Sequence, residues 1–301
     1  MKVVNIGSLN IDYVYTVPHF VRPGETLYTT RVETFCGGKG LNQSVALARA
    51  GLEVFHAGCV GEDGRLLEQY LAENGADIRF IRHCPGRTGH TIIQVDASGQ
   101  NSILLFGGAN RLMTEEYIDE VLAAFSAGDI LLLQNEVNLV DSMIRKAKAR
   151  GMRVAVNPAP MQKNMLTAPL NLADMLFLNE LEAEELCGER EPERQLSALR
   201  ARYPGAALVL TLGEGGALYQ GSDGITHRQG IYRVPVADTT AAGDTFIAYL
   251  MAGLETNLDV PDSLRLAAKA AAITVSREGA APSIPRMEEV RSFTGSESPA
   301  P

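Results

Sequence analysis

Cysteine is scarce in this chain of 301 residues: there are four, Cys36, Cys59, Cys84 and Cys187. No two form a C-x-x-C pair, which argues against a zinc site. Their scatter is that of buried thiols in a reducing compartment. Histidine is also rare, with His19, His56, His83, His90 and His227 the full set of five, and none is spaced from another as metal ligands are. No apolar run approaches the ~18 residues of a membrane-spanning helix. The opening MKVVNIGSLNIDY lacks the charged segment and long apolar stretch of a secretory signal and reads as a first strand. A cytoplasmic protein without a membrane anchor is the expectation. Basic residues are outnumbered, 27 Lys and Arg against 36 Asp and Glu, for a formal net charge of -9, so the basic face of a nucleic-acid binder is not expected. An acidic chain that binds an anion must concentrate positive potential locally, at helix N-termini and a few basic side chains. The phosphate-loop spacing G-x-x-x-x-G-K-[ST] is missing, GSLNID is not the dinucleotide fingerprint G-x-G-x-x-G, and there is no internal repeat.

What is present suits a globular enzyme. Hydrophobic residues make up 46% and charged residues 21%, enough for a sizeable core. A β-branched run at 2–7 predicts a buried strand. Segments 13–17 and 27–35, rich in Val, Thr and Tyr around Pro23 and Gly24, predict a hairpin-like excursion. A helix is predicted over 40–50, stopped by Gly51, then a strand over 53–60 and a helix over about 64–73. Segments 90–95 and 101–106 predict a second hairpin about Asp96-Ala97-Ser98-Gly99. Strands at 130–133, 153–156, 175–178 and 207–211 then alternate with helices at 139–149 and 180–186. Such alternation implies a parallel sheet covered on both faces, an α/β fold. The hairpins break the alternation. They either leave the core together as a small β lid or are ordinary loops and edge strands. The Ser/Pro-rich end, 294–301, is expected to be a disordered tail.

Five segments combine small residues with polar ones. In DTTAAGDTF, 238–246, Gly243 precedes an apolar run that predicts a helix, whose N-terminal N–H groups attract anions. Asp244 next to it is able to accept a proton from a substrate hydroxyl, an arrangement suited to phosphoryl transfer. The same residues also describe a capped helix without chemistry. In FCGGKGLNQSVALARAG, paired glycines open a helix and Lys39 and Asn42 offer donors to a polyol, or form a turn with a solvated lysine. In GSLNID, Asn10 and Asp12 alternate toward one face, where an amide and a carboxylate suit neighbouring hydroxyls, or make an Asx turn. In LNELEAEEL, Asn179 and Glu182 share a helical face. They suit a nucleotide phosphate and Mg²⁺-bound waters, and equally a capping box. In VLTLGEGGALY, Thr211 ends a strand before Gly213, Gly215 and Gly216, a turn that either covers phosphates or joins two strands. Glu136 follows LLLQN at a strand's C-terminal end, where open α/β sheets bind ligands, and REGAAPS reads as a helix terminus and loop.

In order and company these segments carry more than each alone. GSLNID, PGET, GGKGLNQ, GGAN, NPAP, LNELEAEEL, TLGEGG, DTTAAGDTF and REGAAPSIP run from about residue 2 to 293, and together the chain resembles the ribokinase-like (PfkB) carbohydrate kinase family. The resemblance implies one domain over 1–293: a three-layer α/β/α core with a mostly parallel sheet, and a β lid from about 12–36 and 88–107 that also forms a homodimer interface. It implies ATP-dependent phosphorylation of a sugar, with the 5-hydroxyl of D-ribose as acceptor. Another pentose, deoxyribose or a nucleoside is the alternative, and a non-catalytic sugar or nucleotide sensor a reading of a different class. Asn10, Asp12, Gly38, Lys39, Asn42 and Glu136 would hold the sugar and Asp244 would be the base. The backbone of Ala241, Ala242 and Gly243 would form the anion hole. Asn179, Thr211, Gly213 and Gly216 would line the ATP site and Glu182 would organise Mg²⁺. Asp238, Thr240, Thr274, Arg277, Gly279 and Ser283 would surround an activating K⁺, largely through carbonyls. The chain departs from the family pattern at Ala268, beside Lys269, where His or Asn often lies near the adenine. It departs again after Tyr13, where the lid segment is longer than usual.

Overall fold

The computed structural model describes residues 1–298. Fifteen strands and ten α-helices form in chain order. The strands are β1 (Val3–Ile6), β2 (Asn10–Thr16), β3 (Arg31–Gly37), β4 (Val54–Val60), β5 (Asp77–His83), β6 (Gly89–Val95), β7 (Asn101–Phe106), β8 (Ile130–Gln134), β9 (Arg153–Asn157), β10 (Met175–Asn179), β11 (Ala207–Thr211), β12 (Ala217–Gln220), β13 (Thr226–Gln229), β14 (Ile231–Tyr232) and β15 (Glu297–Ser298). The helices are α1 (Lys39–Arg49), α2 (Arg65–Glu73), α3 (Glu115–Ala123), α4 (Val140–Ala149), α5 (Lys163–Thr167), α6 (Glu180–Cys187), α7 (Pro192–Arg202), α8 (Ala242–Glu255), α9 (Val260–Val275) and α10 (Met287–Ser292).

Nine strands form one sheet in the order β13-β12-β11-β10-β9-β8-β1-β4-β5. It is parallel except at one edge, where β12 and β13 run antiparallel. All four residues of β1 are buried, as a central strand covered on both faces must be. Its side chains alternate between two cores. Val3, with Ile130 and Leu132 of β8, meets helices α1, α2, α8 and α9 on one face. Val4, Leu131 and Leu133 meet α3, α4, α6 and α7 on the other. The three-layer expectation holds, and no helix among the described residues is long and apolar enough to cross a membrane.

The two hairpins do leave this core together. They form a separate four-stranded sheet, β3-β2-β6-β7. Its outer pairs are antiparallel, while β2 and β6 run parallel in the middle, Asn10 opposite Gly89 through Thr16 opposite Val95. The predicted strand at 27–35 starts later, at Arg31; just before it Thr29 Oγ1 and Thr30 N–H both donate to the Thr16 carbonyl at the end of β2. Strand β5 and helices α3 and α7 are not foreseen: DIRFIRH and PERQLSALRAR show too little apolar periodicity to declare themselves. The expectation of a disordered tail is corrected at Glu297–Ser298, which pair antiparallel with Ile231–Tyr232. Gln229 also donates to Glu297 Oε1 at 2.7 Å. Residues 299–301, the rest of that expected tail, lie outside the described residues.

Candidate active site

Parallel strands align their C-terminal ends, and the loops that follow open a crevice there. Ile6 stands beside Leu133, Gln134 beside Asn157 and Asn179 beside Thr211. A cavity of about 440 Å³ lies over these ends. Asn10, Asp12, Gly38, Lys39, Asn42, Glu136, Asn179, Glu182, Thr211, Thr240, Ala241, Gly243 and Asp244 all line it. The four-stranded sheet roofs it with Thr91, Ile93, Ile103 and Leu105. Residues spread from position 10 to 244 thus share one space.

At the end under the roof, Asn10 Oδ1 accepts from Asn110 Nδ2 at 2.8 Å, leaving the Asn10 amide nitrogen for a ligand. Asp12 Oδ1 accepts from Thr91 Oγ1 at 2.6 Å. Burial pushes the Asp12 carboxyl up to about 6 from 3.8. The Thr91 hydrogen bond opposes that shift and the nearby charge of Glu136 adds to it. Gly37 and Gly89 make room for this pair. A Cβ on Gly37 would stand 1.8 Å from Asp12 Oδ2, and one on Gly89 2.4 Å from Asn10 Oδ1. Glu136 Oε2 accepts from the Lys39 backbone N–H at 3.0 Å and from Ser8 Oγ, which places a carboxylate on the N-terminus of α1.

The middle of the cavity belongs to Asp244, which is buried. Asn42 Nδ2 donates to its Oδ2 at 3.1 Å and Gln43 Nε2 to its Oδ1 at 2.8 Å. With its nitrogen committed to Asp244, Asn42 leaves Oδ1 buried and without a protein partner. Burial pulls the Lys39 ammonium down, but Asp244, Glu136 and Glu182 outweigh it and hold the group above its ordinary value. Lys39 therefore stays charged among three carboxylates. Helix α8 begins at Ala242 with Ala241 as its N-cap in the left-handed region, φ 62, a conformation that costs a non-glycine residue about 1 kcal/mol or more. The Ala242 N–H turns back to Thr239 O at 3.3 Å. The next N–H groups, of Gly243 and Asp244, lie in the first turn, where the helical ladder supplies no acceptor. No atom lies within 4 Å of where a Gly243 Cβ would be, so the approach to these donors is open.

Beyond Asp244, Asn179 and Glu182 make a complete capping box, with Glu182 N–H to Asn179 Oδ1 at 2.8 Å and Asn179 N–H to Glu182 Oε2 at 2.9 Å. Burial raises the Glu182 carboxyl, against the Asn179 backbone hydrogen bond and the Lys39 charge. Both readings of this pair are thus compatible: Glu182 caps α6 and faces the cavity. Its carboxylate oxygens retain lone pairs toward the cavity, a donor set that fits Mg²⁺ held through water. Thr211 lines the cavity, but Gly213 and Gly216 do not. They lie in the turn to β12 at φ 53 and 83, and a Cβ on Gly216 would meet Gln229 O at 2.1 Å.

Asp238 gathers part of the expected cation loop. Its Oδ1 accepts from Thr240 N–H at 2.9 Å and from Thr240 Oγ1 at 2.6 Å, and its Oδ2 from Gly279 N–H at 3.1 Å. Three other side chains are engaged elsewhere: Thr274 Oγ1 with Ala270 O, Arg277 with Glu289 and Ser283 Oγ with Ala280 O. The Arg277 guanidinium is thereby taken out of the loop, and the oxygens Thr274, Arg277 and Ser283 leave for an ion are neutral hydroxyl and carbonyl ones. Among the described residues no cluster of three or more His, Cys, Asp or Glu is placed to hold a metal.

Sequence reasoning missed the residues that hold the site in place. Thr91, Asn110, Gln43, Gln134 and Asn157 are all buried. Gln43 and Asn157 lie within GGKGLNQ and NPAP, so the segments were noticed without their roles. Gln134 shows no local signal, since a glutamine ending an apolar strand is informative only once its partners are known.

A family profile described as pfkB family carbohydrate kinase matches residues 1–287. The ribokinase of Staphylococcus aureus (strain COL) is 36% identical over 300 residues, covering 96% of this chain and 98% of its own. The deoxyribokinase of Salmonella typhi is 30% identical over 308 residues, covering 97% and 98%. The structure of Arabidopsis thaliana ribokinase complexed with ribose and ATP matches with a TM-score of 0.85 at 28% identity, over 97% of this chain and 99% of that one. The chain belongs to the pfkB family of carbohydrate kinases.

Proposed function

We propose that this chain transfers the γ-phosphoryl group of ATP to the 5-hydroxyl of D-ribose, giving ribose 5-phosphate and ADP. The observation that carries the reading is the convergence of Asn10, Asp12, Lys39, Asn42, Glu136 and Asp244 on one cavity, in a chain alike along its length to a ribokinase. The free nitrogen of Asn10 and the carboxylates of Asp12 and Glu136 supply donors and acceptors for several hydroxyls. Gly38 and Lys39 close that end.

Asp244 accepts the proton of the 5-hydroxyl as the oxygen attacks phosphorus in line. Its two amide partners hold the carboxylate while one lone pair takes the proton. At the start of α8 the open N–H of Gly243 faces the charge on the moving phosphoryl group, joined by those of Ala241 and, once it leaves Thr239 O, Ala242. Asn179, Thr211, Gly213 and Gly216 border the nucleotide. Mg²⁺ near Glu182 supplies charge neutralisation to the phosphates when bound. Asp238, Thr240, Thr274, Arg277, Gly279 and Ser283 would hold K⁺, which would order the loop that leads into α8. The β3-β2-β6-β7 sheet acts as a lid whose Ile93, Ile103 and Leu105 exclude water, the competing nucleophile. Two copies pair through the outer face of that lid, where Leu104 is 66% and Phe106 53% exposed. The scattered free thiols suit a cytoplasmic enzyme.

Similarity to a deoxyribokinase favours 2-deoxyribose as the second acceptor to consider. ADP release measured across D-ribose, 2-deoxyribose, other pentoses and nucleosides decides between them. Ribose among the poorest acceptors would reject the reading. Thermal stabilisation by sugar and ATP with no ADP formed, Mg²⁺ and K⁺ present, would instead make the chain a sensor.

A further inference from the structure

Behind Asp244 a chain of buried amides runs into the core, and one backbone group sets its polarity. The carbonyl of Gly40 is able only to accept, so Asn5 presents Nδ2 to it at 2.8 Å and to Ser44 Oγ at 2.9 Å. Asn5 Oδ1 is thereby turned to Gln134, which must present a donor, and Gln134 Nε2 reaches it at 3.0 Å. The same nitrogen donates to Gln43 Oε1 at 2.6 Å. With its oxygen engaged, Gln43 points Nε2 at Asp244 Oδ1, 2.8 Å away. Asn5, Gln43 and Gln134 are each fully buried, so bulk water does not substitute for a lost partner. Gly7 leaves room for the other end of the Gln134 amide: a Cβ there would stand 2.5 Å from Gln134 Oε1. Turning its amide over would set oxygen against the oxygens of both Asn5 and Gln43.

We propose that Gln134 is a positioning residue for phosphoryl transfer, acting on Asp244 through Gln43 without lining the cavity. Resting on Asp244 as the base, this goes further by stating what keeps that base oriented. While Gln134 donates to Gln43 Oε1, the Gln43 amide faces the carboxylate with hydrogen. Without that donor, Gln43 is free to turn its oxygen toward Asp244. The like partial charges then push the carboxylate out of line. Lys39 and Glu182, the charged groups facing Asp244 from α1 and α6, and Glu136 beyond Lys39 are unchanged by this.

The test is a double-mutant cycle on the full chain, read as sugar-dependent ADP formation. Gln134→Leu is expected to lower kcat about tenfold, the loss of one hydrogen bond to a charged group. The KM values for sugar and ATP should stay within about threefold, as for an interaction that matters mainly in the transition state. Gln43→Leu should do the same, and the double variant should lose no more than either single one, since both changes break the same path. Multiplying losses, or a Gln134→Leu enzyme with wild-type kcat, would overturn the proposal. If Gln134→Leu melts out at assay temperature, the isosteric Gln134→Glu serves, because it places an acceptor where the chain requires a donor. Its kcat should fall at least as far, and a wild-type kcat there is equally fatal. Inactivity of the unmodified chain on every sugar would reject the kinase reading instead, so the two failures are distinguishable.

Discussion

Asn42 donates its side-chain nitrogen to Asp244 Oδ2 at 3.1 Å across 202 positions of sequence. The bond ties the first helix of the chain to the start of α8, and it leaves Asn42 Oδ1 as a buried acceptor with no protein partner. One side chain from the first helix therefore orients the proposed base.

Replacing that base should stop chemistry without emptying the nucleotide site. Asp244→Asn keeps the volume and removes the basic lone pair, so kcat should fall by ~10²–10⁴. ATP affinity, measured by calorimetry or fluorescence titration, should remain close to wild type. An Asn variant with near wild-type kcat removes Asp244 from its role.

Asp12 should make sugar binding depend on pH. Its carboxyl is raised from 3.8 to about 6, first by burial, with Thr91 opposing and Glu136 adding. The native state thus holds this proton more tightly than the unfolded chain does. The stability it contributes is full below the unfolded value and is lost as pH rises through about 6. Binding follows the opposite sign, because the ionised carboxylate is the better acceptor for sugar hydroxyls. The sugar KM should fall as pH rises through about 6, and Asp12→Asn should raise KM and flatten that dependence. A wild-type sugar KM that does not change between pH 5 and 7, on either side of that value, would contradict the assignment.

Gly37 is required by the carboxylate opposite it. With Oδ2 of Asp12 only 1.8 Å from the position of a Cβ, Gly37→Ala must displace Asp12 from Thr91. Overpacking of this kind costs about 1–3 kcal/mol. The expected signature is a sugar KM raised about tenfold or more with a smaller change in kcat, together with a lower melting temperature. An Ala variant with an unchanged sugar KM would show that Asp12 does not bind the sugar.

The loop around Asp238 should respond to monovalent ions. Asp238 holds Thr240 and Gly279 together, so Asp238→Ala should loosen the approach to α8. Activation by K⁺ over a large organic cation should be present in the wild type and absent in the variant. Equal rates in both salts for the wild type would reject the cation site.

Pairing through the lid has its own readout. Leu104 and Phe106 lie two apart on one face of β7 and are exposed, a patch that monomers seldom leave uncovered. Wild-type protein should scatter light as a dimer, and Leu104→Glu as a monomer with a weakened lid. A monomeric wild type would leave this face without the proposed partner.

By itself the sequence determined the alternation of strands and helices from β8 onward, both hairpins, and most polar residues around the cavity. Those features are local: period-two and helical apolar patterns, glycine turns, and short polar segments at strand ends. Asn179 with Glu182 is the clearest case, because a capping box is defined by a spacing of three. Other features only the tertiary structure decided. The parallel pairing of β2 with β6, which fuses two hairpins into one sheet, leaves no mark in either hairpin. Neither do the edge strand β5 or the pairing of Glu297–Ser298 with Ile231–Tyr232. Whether Asp244 caps a helix or faces a ligand cannot be read from DTTAAGDTF. Its place in the cavity is set by Asn42, Gln43 and Lys39 arriving from the far end of the chain. The amide chain behind Asp244 is the extreme case. Each hydrogen bond among Asn5, Gln43, Gln134 and Asp244 spans at least 91 positions, and a donor's direction is defined only when its acceptor is in place.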